Sequence, residues 1–131
     1  MMMTVEIVKN VLGTALQPCC FEPMTGWLRD GFCNTNASDT GIHTVCTIVD
    51  EQFLTYSKSM GNDLSTPMPE YQFPGLKAGD KWCLCAARWK QAYDDGMAPP
   101  LVLEATHERT LEVVPLKVLQ AYAFVPVTEE S

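Results

Sequence analysis

Cys83 and Cys85 stand one residue apart, with Trp82 just before them and Trp89 shortly after. A thiolate is both a nucleophile and a soft metal ligand, so two thiols on one site could do covalent or metal chemistry. A strand puts both sulfurs on one face, because side chains alternate. Their alpha carbons would then lie roughly 6.6 Å apart. That is near the upper limit for a disulfide, so a bridge within the pair would need distortion. Two thiolates on one zinc approach to about 3.8 Å, which side-chain rotation could reach. Read instead as a helix, the segment has an apolar stripe of Trp82, Ala86, Trp89 and Tyr93, with the sulfurs on nearly opposite sides. The preferred reading is a strand to about Ala86 and a helix from Ala87 to Asp95, stopped by Gly96. Cys85 then precedes a helix start, where backbone amides favour negative charge. The plain alternative is that both cysteines are small buried hydrophobes.

Three constellations could complete a site. In the first, Cys85 or Cys83 is a nucleophile and His43 or His107 its base, which requires only that they meet in space. In the second, Cys33 or Cys46 joins Cys83 and Cys85 around zinc. His43 and Cys46 fall on opposite faces of one strand, so regular geometry keeps them off a common ion. In the third, the polar loop residues Asn62, Asp63, Ser65 and Thr66 line a small-molecule pocket with Arg29, Asp30, Cys33 and Asn34. Taken singly, each of these is also an ordinary turn former. Glu104, between Leu103 and Ala105, is either a buried carboxylate or the solvent-facing residue of an alternating strand. No glycine-rich phosphate loop and no His-Glu-x-x-His motif occurs. No cofactor is expected, zinc being the alternative.

These residues need a scaffold. Ile42 to Val49 is a β-branched run and reads as a strand. Asp50 caps a helix through Phe53, Leu54, Ser57 and Met60, which Gly61 ends. Leu101 to Ala105 reads as a further strand, making a βαβ unit with parallel strands. Leu111 to Val114 reads as a short strand, and Pro115 opens a last helix with Leu116, Leu119 and Ala123 as its stripe. Thr4 to Val8 alternates as a first strand would. The stretches 17–41 and 62–79 carry turn chemistry and no sustained period. The expected class is α+β: one small domain over 1–131, a mixed β-sheet, short helices and two long irregular loops, with 1–10 and 126–131 as less ordered ends.

The chain has 131 residues, 47% of them hydrophobic, and a net charge of −7. An acidic chain with no basic cluster argues against nucleic acid, because phosphate contacts need Lys and Arg. No apolar run approaches the length of a membrane helix, and the start lacks a basic leader, so a cytoplasmic protein with no membrane partner is expected. The six cysteines are then expected as reduced thiols. Their Cys-Cys and Cys-x-Cys spacings match no standard zinc template, and a disulfide framework is not expected.

Pro18-Cys19, Pro23-Met24-Thr25-Gly26, Arg29-Asp30-Gly31, Cys33-Asn34-Thr35, His43-Thr44-Val45-Cys46, Gly61-Asn62-Asp63-Leu64-Ser65-Thr66-Pro67, Phe73-Pro74-Gly75-Leu76-Lys77, Gly79-Asp80, Trp82-Cys83-Leu84-Cys85 and Leu103-Glu104-Ala105-Thr106-His107-Glu108 form a set of motifs. Together, from about Val11 to Ala123, they resemble the small, mostly bacterial family called domain of unknown function 2237. The resemblance carries no activity, substrate or cofactor. Phe32, Met68 and Ala78 stand where the family often has Cys, a basic residue and Pro, so neither a vicinal 32/33 pair nor an anion-binding role of the Met68 loop follows from it. The expected function is a small-molecule-binding or thiol-dependent enzymatic site around the Cys-x-Cys stretch and the polar loops. A structural zinc domain and a non-catalytic interaction module are the alternatives. Oligomeric state is not set by the sequence.

Overall fold

A computed structural model describes residues 8–20, 25, 31–35, 42–69 and 75–124. Strand β1, His43–Ile48, pairs antiparallel with β2, Lys81–Cys85. Between them runs helix α1, Glu51–Ser59, and directly after β2 comes α2, Ala86–Asp94. Helix α3, Leu116–Ala121, closes the described chain. The class is α+β, with a two-stranded sheet and three short helices among the described residues.

Local rules account for most of these boundaries. The Asp50 carboxylate accepts from the Phe53 amide at 2.7 Å and so starts α1. Gly61, at φ 91°, supplies the left-handed turn after its end. Pro115 sits at the N-cap of α3, where its missing N–H costs nothing. Ahead of β2, the Gly79 amide donates to Val49 at 2.8 Å, so the Gly79-Asp80 turn is tied to the strand it will flank. Gly75 has φ 81°, and a Cβ there would stand 2.5 Å from the Ser65 carbonyl. Only glycine lets the backbone approach this closely, and the next residue, Leu76, donates to Leu64 at 2.7 Å.

Two expected strands are absent, and each has a competing local partner. Leu103–Ala105 is a 3-10 helix, not part of a strand. Leu101 makes only single bridges, antiparallel to Thr47 and parallel to Ala123. The Thr106 hydroxyl donates back to the Val102 carbonyl at 2.7 Å, which curls the segment after one bridge. The parallel βαβ unit is therefore corrected. Residues Glu108–Glu112 form a second 3-10 helix that takes up the start of the expected Leu111 strand, capped by His107. The proposed strand over Thr4 to Val8 lies almost wholly outside the described residues.

The four central residues of β1 are all buried, because the sheet is covered on both faces. Val45 and Leu84 are register partners and join Phe53, Trp89, Leu101 and Leu119 in the main apolar core. The next pair along, Cys46 and Cys83, points to the opposite face and packs with Cys19, Cys33 and Ala105. One small sheet thus separates a hydrocarbon core from a cluster of sulfur.

Candidate functional site

The two thiols of the Cys-x-Cys stretch do not share a hollow, which corrects the central geometric expectation. Cys83 is 2% exposed and bonded to Cys33, while Cys85 is half-buried and belongs to neither disulfide. A second disulfide joins Cys19 to Cys46. The expectation of six reduced thiols is corrected for these four. Their partners are 27 and 50 residues apart, so no short spacing could announce the pairing. The two strand cysteines do not bond to each other. Directly opposed strand residues hold their Cβ atoms about 4.5–5.5 Å apart, wider than a disulfide favours, so each reaches to a loop cysteine instead.

Cys85 faces a different neighbour. The register shifts between His43 and Val45, so that His43 becomes the cross-strand partner of Cys85. Such a bulge inserts one residue, here Thr44, and re-aims the side chains beside it. His43 and Cys85 line a cleft of about 200 Å³ together with Asn62, Leu64, Trp82, Leu84 and Arg88. Cys85 is also the N-cap residue of α2. Arg88, one turn into that helix, is held by hydrogen bonds to the Met60 carbonyl at 3.1 Å and the Gln91 side chain at 3.3 Å. Asn62 is positioned from α1: its amide donates to the Ser57 carbonyl at 2.8 Å, and its own carbonyl accepts from the Ser57 hydroxyl at 2.7 Å. Among the described residues the lining holds one guanidinium and one imidazole but no carboxylate, a balance that suits an anionic or electron-poor ligand.

Other candidates lie elsewhere. Asp63, Ser65 and Thr66 close on each other: the Asp63 carboxylate accepts from the Thr66 hydroxyl at 2.6 Å and from the Ser65 amide at 3.0 Å. The Thr66 hydroxyl, then the Ser65 amide, hold the Asp63 carboxyl below its ordinary range. This is turn chemistry, and of that loop's described residues only Asn62 and Leu64 reach the cleft. Asn34 accepts from the Thr35 amide at 2.8 Å and is not among the cleft residues. Arg29 and Asp30 lie outside the described residues. Glu104 faces solvent on its 3-10 turn. The zinc set of Cys33, Cys46, Cys83 and Cys85 is brought together in three of its members, with Cys19 where Cys85 was expected. Cys19 and Arg88 were the residues missed. Arg88 follows Cys85 at helical spacing, a usable signal, whereas Cys19 carried none beyond its place in a motif.

His107 lines a separate cleft of about 540 Å³, with Asn10, Glu108 and Arg109 among its walls. Its Nδ1 accepts from the Arg109 amide at 2.9 Å. Burial pushes its imidazole below the ordinary value of 6.5, against the opposing pull of Glu108. The unfolded chain therefore binds more protons just below pH 6.5, and stability contributed by neutral His107 is lost as pH falls through that window. His107→Asn keeps an acceptor for the Arg109 amide and removes the titration. In urea unfolding between pH 5 and pH 7.5, the variant is expected to show a shallower dependence of midpoint on pH, by at most one proton's worth of slope. Equal slopes would refute this account of His107.

A family model described as "Uncharacterized protein conserved in bacteria (DUF2237)" matches residues 9–123, which include every residue of both clefts and of the sulfur cluster. The chain belongs to this family. No curated protein matches it. For this DUF2237 member, among the described residues, no helix is long and apolar enough to cross a membrane. The motif His43-Thr44-Val45-Cys46 now has a structural reading: it is the bulged strand that serves the cleft with its first residue and the sulfur cluster with its last.

Proposed function

We propose that the cleft at the junction of β1, β2 and α2 is a small-molecule site with thiol-dependent chemistry. Cys85 is the nucleophile and His43 its base. The observation that supports this reading most is the bulge, which makes His43 the register partner of Cys85 on the wall of one cleft. In the proposed step the Cys85 thiol gives its proton to His43 as a sulfur–carbon bond forms at an electrophilic carbon of the ligand. The leaving group departs with its electron pair and takes the proton back from the imidazolium. The amide-rich start of α2 and the anchored Arg88 supply positive charge beside the anion that develops. Trp82, Leu64 and Leu84 provide the apolar wall that a small ligand buries against.

Cys20, the other cysteine outside both disulfides, is a built-in comparison. At pH 7, iodoacetamide is expected to alkylate Cys85 at least about tenfold faster than Cys20, as read by peptide mass spectrometry, and His43→Gln to remove most of that difference. Should Cys85 react no faster than Cys20, or should His43→Gln leave its rate unchanged, the nucleophile and base assignments are lost.

A further inference from the structure

The sulfur cluster lies on the other face of the sheet from Val45 and Leu84 and is not used by the proposed cleft. Cys33 and Cys46 are 0% exposed, Cys83 2% and Cys19 6%. The sulfurs of Cys19, Cys33 and Cys46 all lie within 4.8 Å of one another, and that of Cys83 is bonded to Cys33. Four thiolates around a tetrahedral zinc stand about 3.8 Å apart, given Zn–S bonds of about 2.3 Å. The spacing of these three is therefore near that of metal ligands; opening the two bonds lets the joined sulfurs separate and frees the Cys83 sulfur, on the strand opposite Cys46, to move in as the fourth. The supports differ in kind: Cys46 and Cys83 face each other from paired strands, while Cys19 and Cys33 come from loops. Both loops are pinned close by, since the Cys19 and Cys20 amides donate to the Gly31 carbonyl at 2.7 and 3.2 Å. On the strand side, the Cys46 amide donates to the Thr106 hydroxyl at 3.2 Å and the Cys83 amide to that of Thr25 at 2.7 Å. These bonds hold the backbone without using the sulfurs, so the frame persists whichever way the sulfurs are joined.

We propose that Cys19, Cys33, Cys46 and Cys83 are a redox-switched zinc site, joined as two disulfides when oxidised and holding one tetrahedral Zn²⁺ when reduced. Two dithiol reductant molecules supply the electrons. Each opens one bond, gives up two electrons and two protons to form two thiols, and becomes a disulfide itself. Zinc then displaces the four thiol protons and leaves a tetrathiolate. The all-sulfur ligand set selects zinc over the hard cations, which take oxygen ligands. This inference stands apart from the cleft, because Cys85 is not one of the four.

The test is zinc retention. Protein is reduced with dithiothreitol, freed of it by anaerobic desalting, given excess Zn²⁺ and desalted again. The reduced chain is expected to keep one zinc per chain and the untreated chain none. Cys20→Ser and Cys85→Ser are expected to keep it, and Cys19→Ser and Cys83→Ser to lose it. Because those last variants could fail to fold, Co²⁺ is added to the unaltered reduced chain as a second readout. Strong thiolate-to-cobalt bands with intense tetrahedral visible bands are expected. A reduced chain that keeps no zinc, a cobalt spectrum without those bands, or loss of zinc in Cys85→Ser would each overturn the proposal.

Discussion

Replacing Cys33 and Cys83 together with alanine is expected to lower the stability of the oxidised, chelator-treated protein by about 4 kcal/mol. The value follows from the chain entropy that a crosslink across 50 residues withholds from the unfolded state. The same reasoning gives about 3.5 kcal/mol for the crosslink across 27 residues between Cys19 and Cys46. The two do not add. Their closed loops interlock, because Cys33 lies inside the first loop and Cys46 inside the second, so either bond left intact still constrains the other segment.

Domains of this size are stable by about 5–15 kcal/mol, so one crosslink is a large share of the total. In urea the midpoint is expected to fall by about 2 M, taking a slope of roughly 2 kcal/mol per molar. A thiol count under denaturing conditions checks the starting state: two reactive thiols before reduction, those of Cys20 and Cys85, and six after it. A midpoint within about 0.3 M of the parent would mean that the Cys33–Cys83 bond does not hold the native chain together. The loss should be felt first in the loops. Thr25, fully buried, ties its segment to β2 only through the bond from the Cys83 amide and to Gly31 through its carbonyl, among the described contacts.

The parts of this fold that were legible in the sequence are those governed by near neighbours. Asp50 before α1, Gly61 after it, Pro115 before α3 and the β-branched run of β1 each act within four residues, and each lies where local rules place it. The helix after the Cys-x-Cys stretch was displaced by a single residue, Ala86–Asp94 instead of Ala87 to Asp95. The expectations that failed were decided by side-chain competition that composition does not show, or at a distance. Leu101 to Ala105 has strand composition, and the Val102 amide does reach the Cys46 carbonyl of β1, but the Thr106 hydroxyl and the Ala105 amide take the Val102 carbonyl, so the ladder stops after one bridge. The pairing of cysteines depends on which loops return to the sheet, and composition does not encode that. The site was half legible for the same reason. Cys85, His43 and Asn62 do share a cleft, yet the residue that brings His43 opposite Cys85 is a bulge at Thr44, which alternation alone would never place there.

Trp89→Ala is expected to cost about 3–5 kcal/mol, the usual range for removing a large aromatic from a packed core. Trp89 is fully buried on the inner face of α2, in line with Ala86 and Ala92. It joins three parts of the chain. Its indole N–H donates to the Pro99 carbonyl at 3.1 Å, holding the turn after α2. Its ring stacks on Tyr93 at 5.8 Å between centroids and meets Tyr122, at the end of α3, edge-on at 5.4 Å. Trp89→Phe separates these contributions, because it keeps an aromatic ring and leaves the buried Pro99 carbonyl without its donor; a loss of about 1–3 kcal/mol is expected for that bond. Unfolding midpoints of the two variants measure both quantities, and a Phe variant as costly as the Ala variant would put the weight on the hydrogen bond and not on the ring. The same pair bears on the cleft. Arg88 is the residue before Trp89 and Cys85 caps the same helix, so the side chain that seats α2 against the core also sets where the thiol and the guanidinium stand. Iodoacetamide labelling of the folded Phe variant should therefore show a smaller rate advantage of Cys85 over Cys20 than the parent does, with Cys20 itself unchanged; an undiminished advantage would show that the cleft is held by β1 and β2 alone.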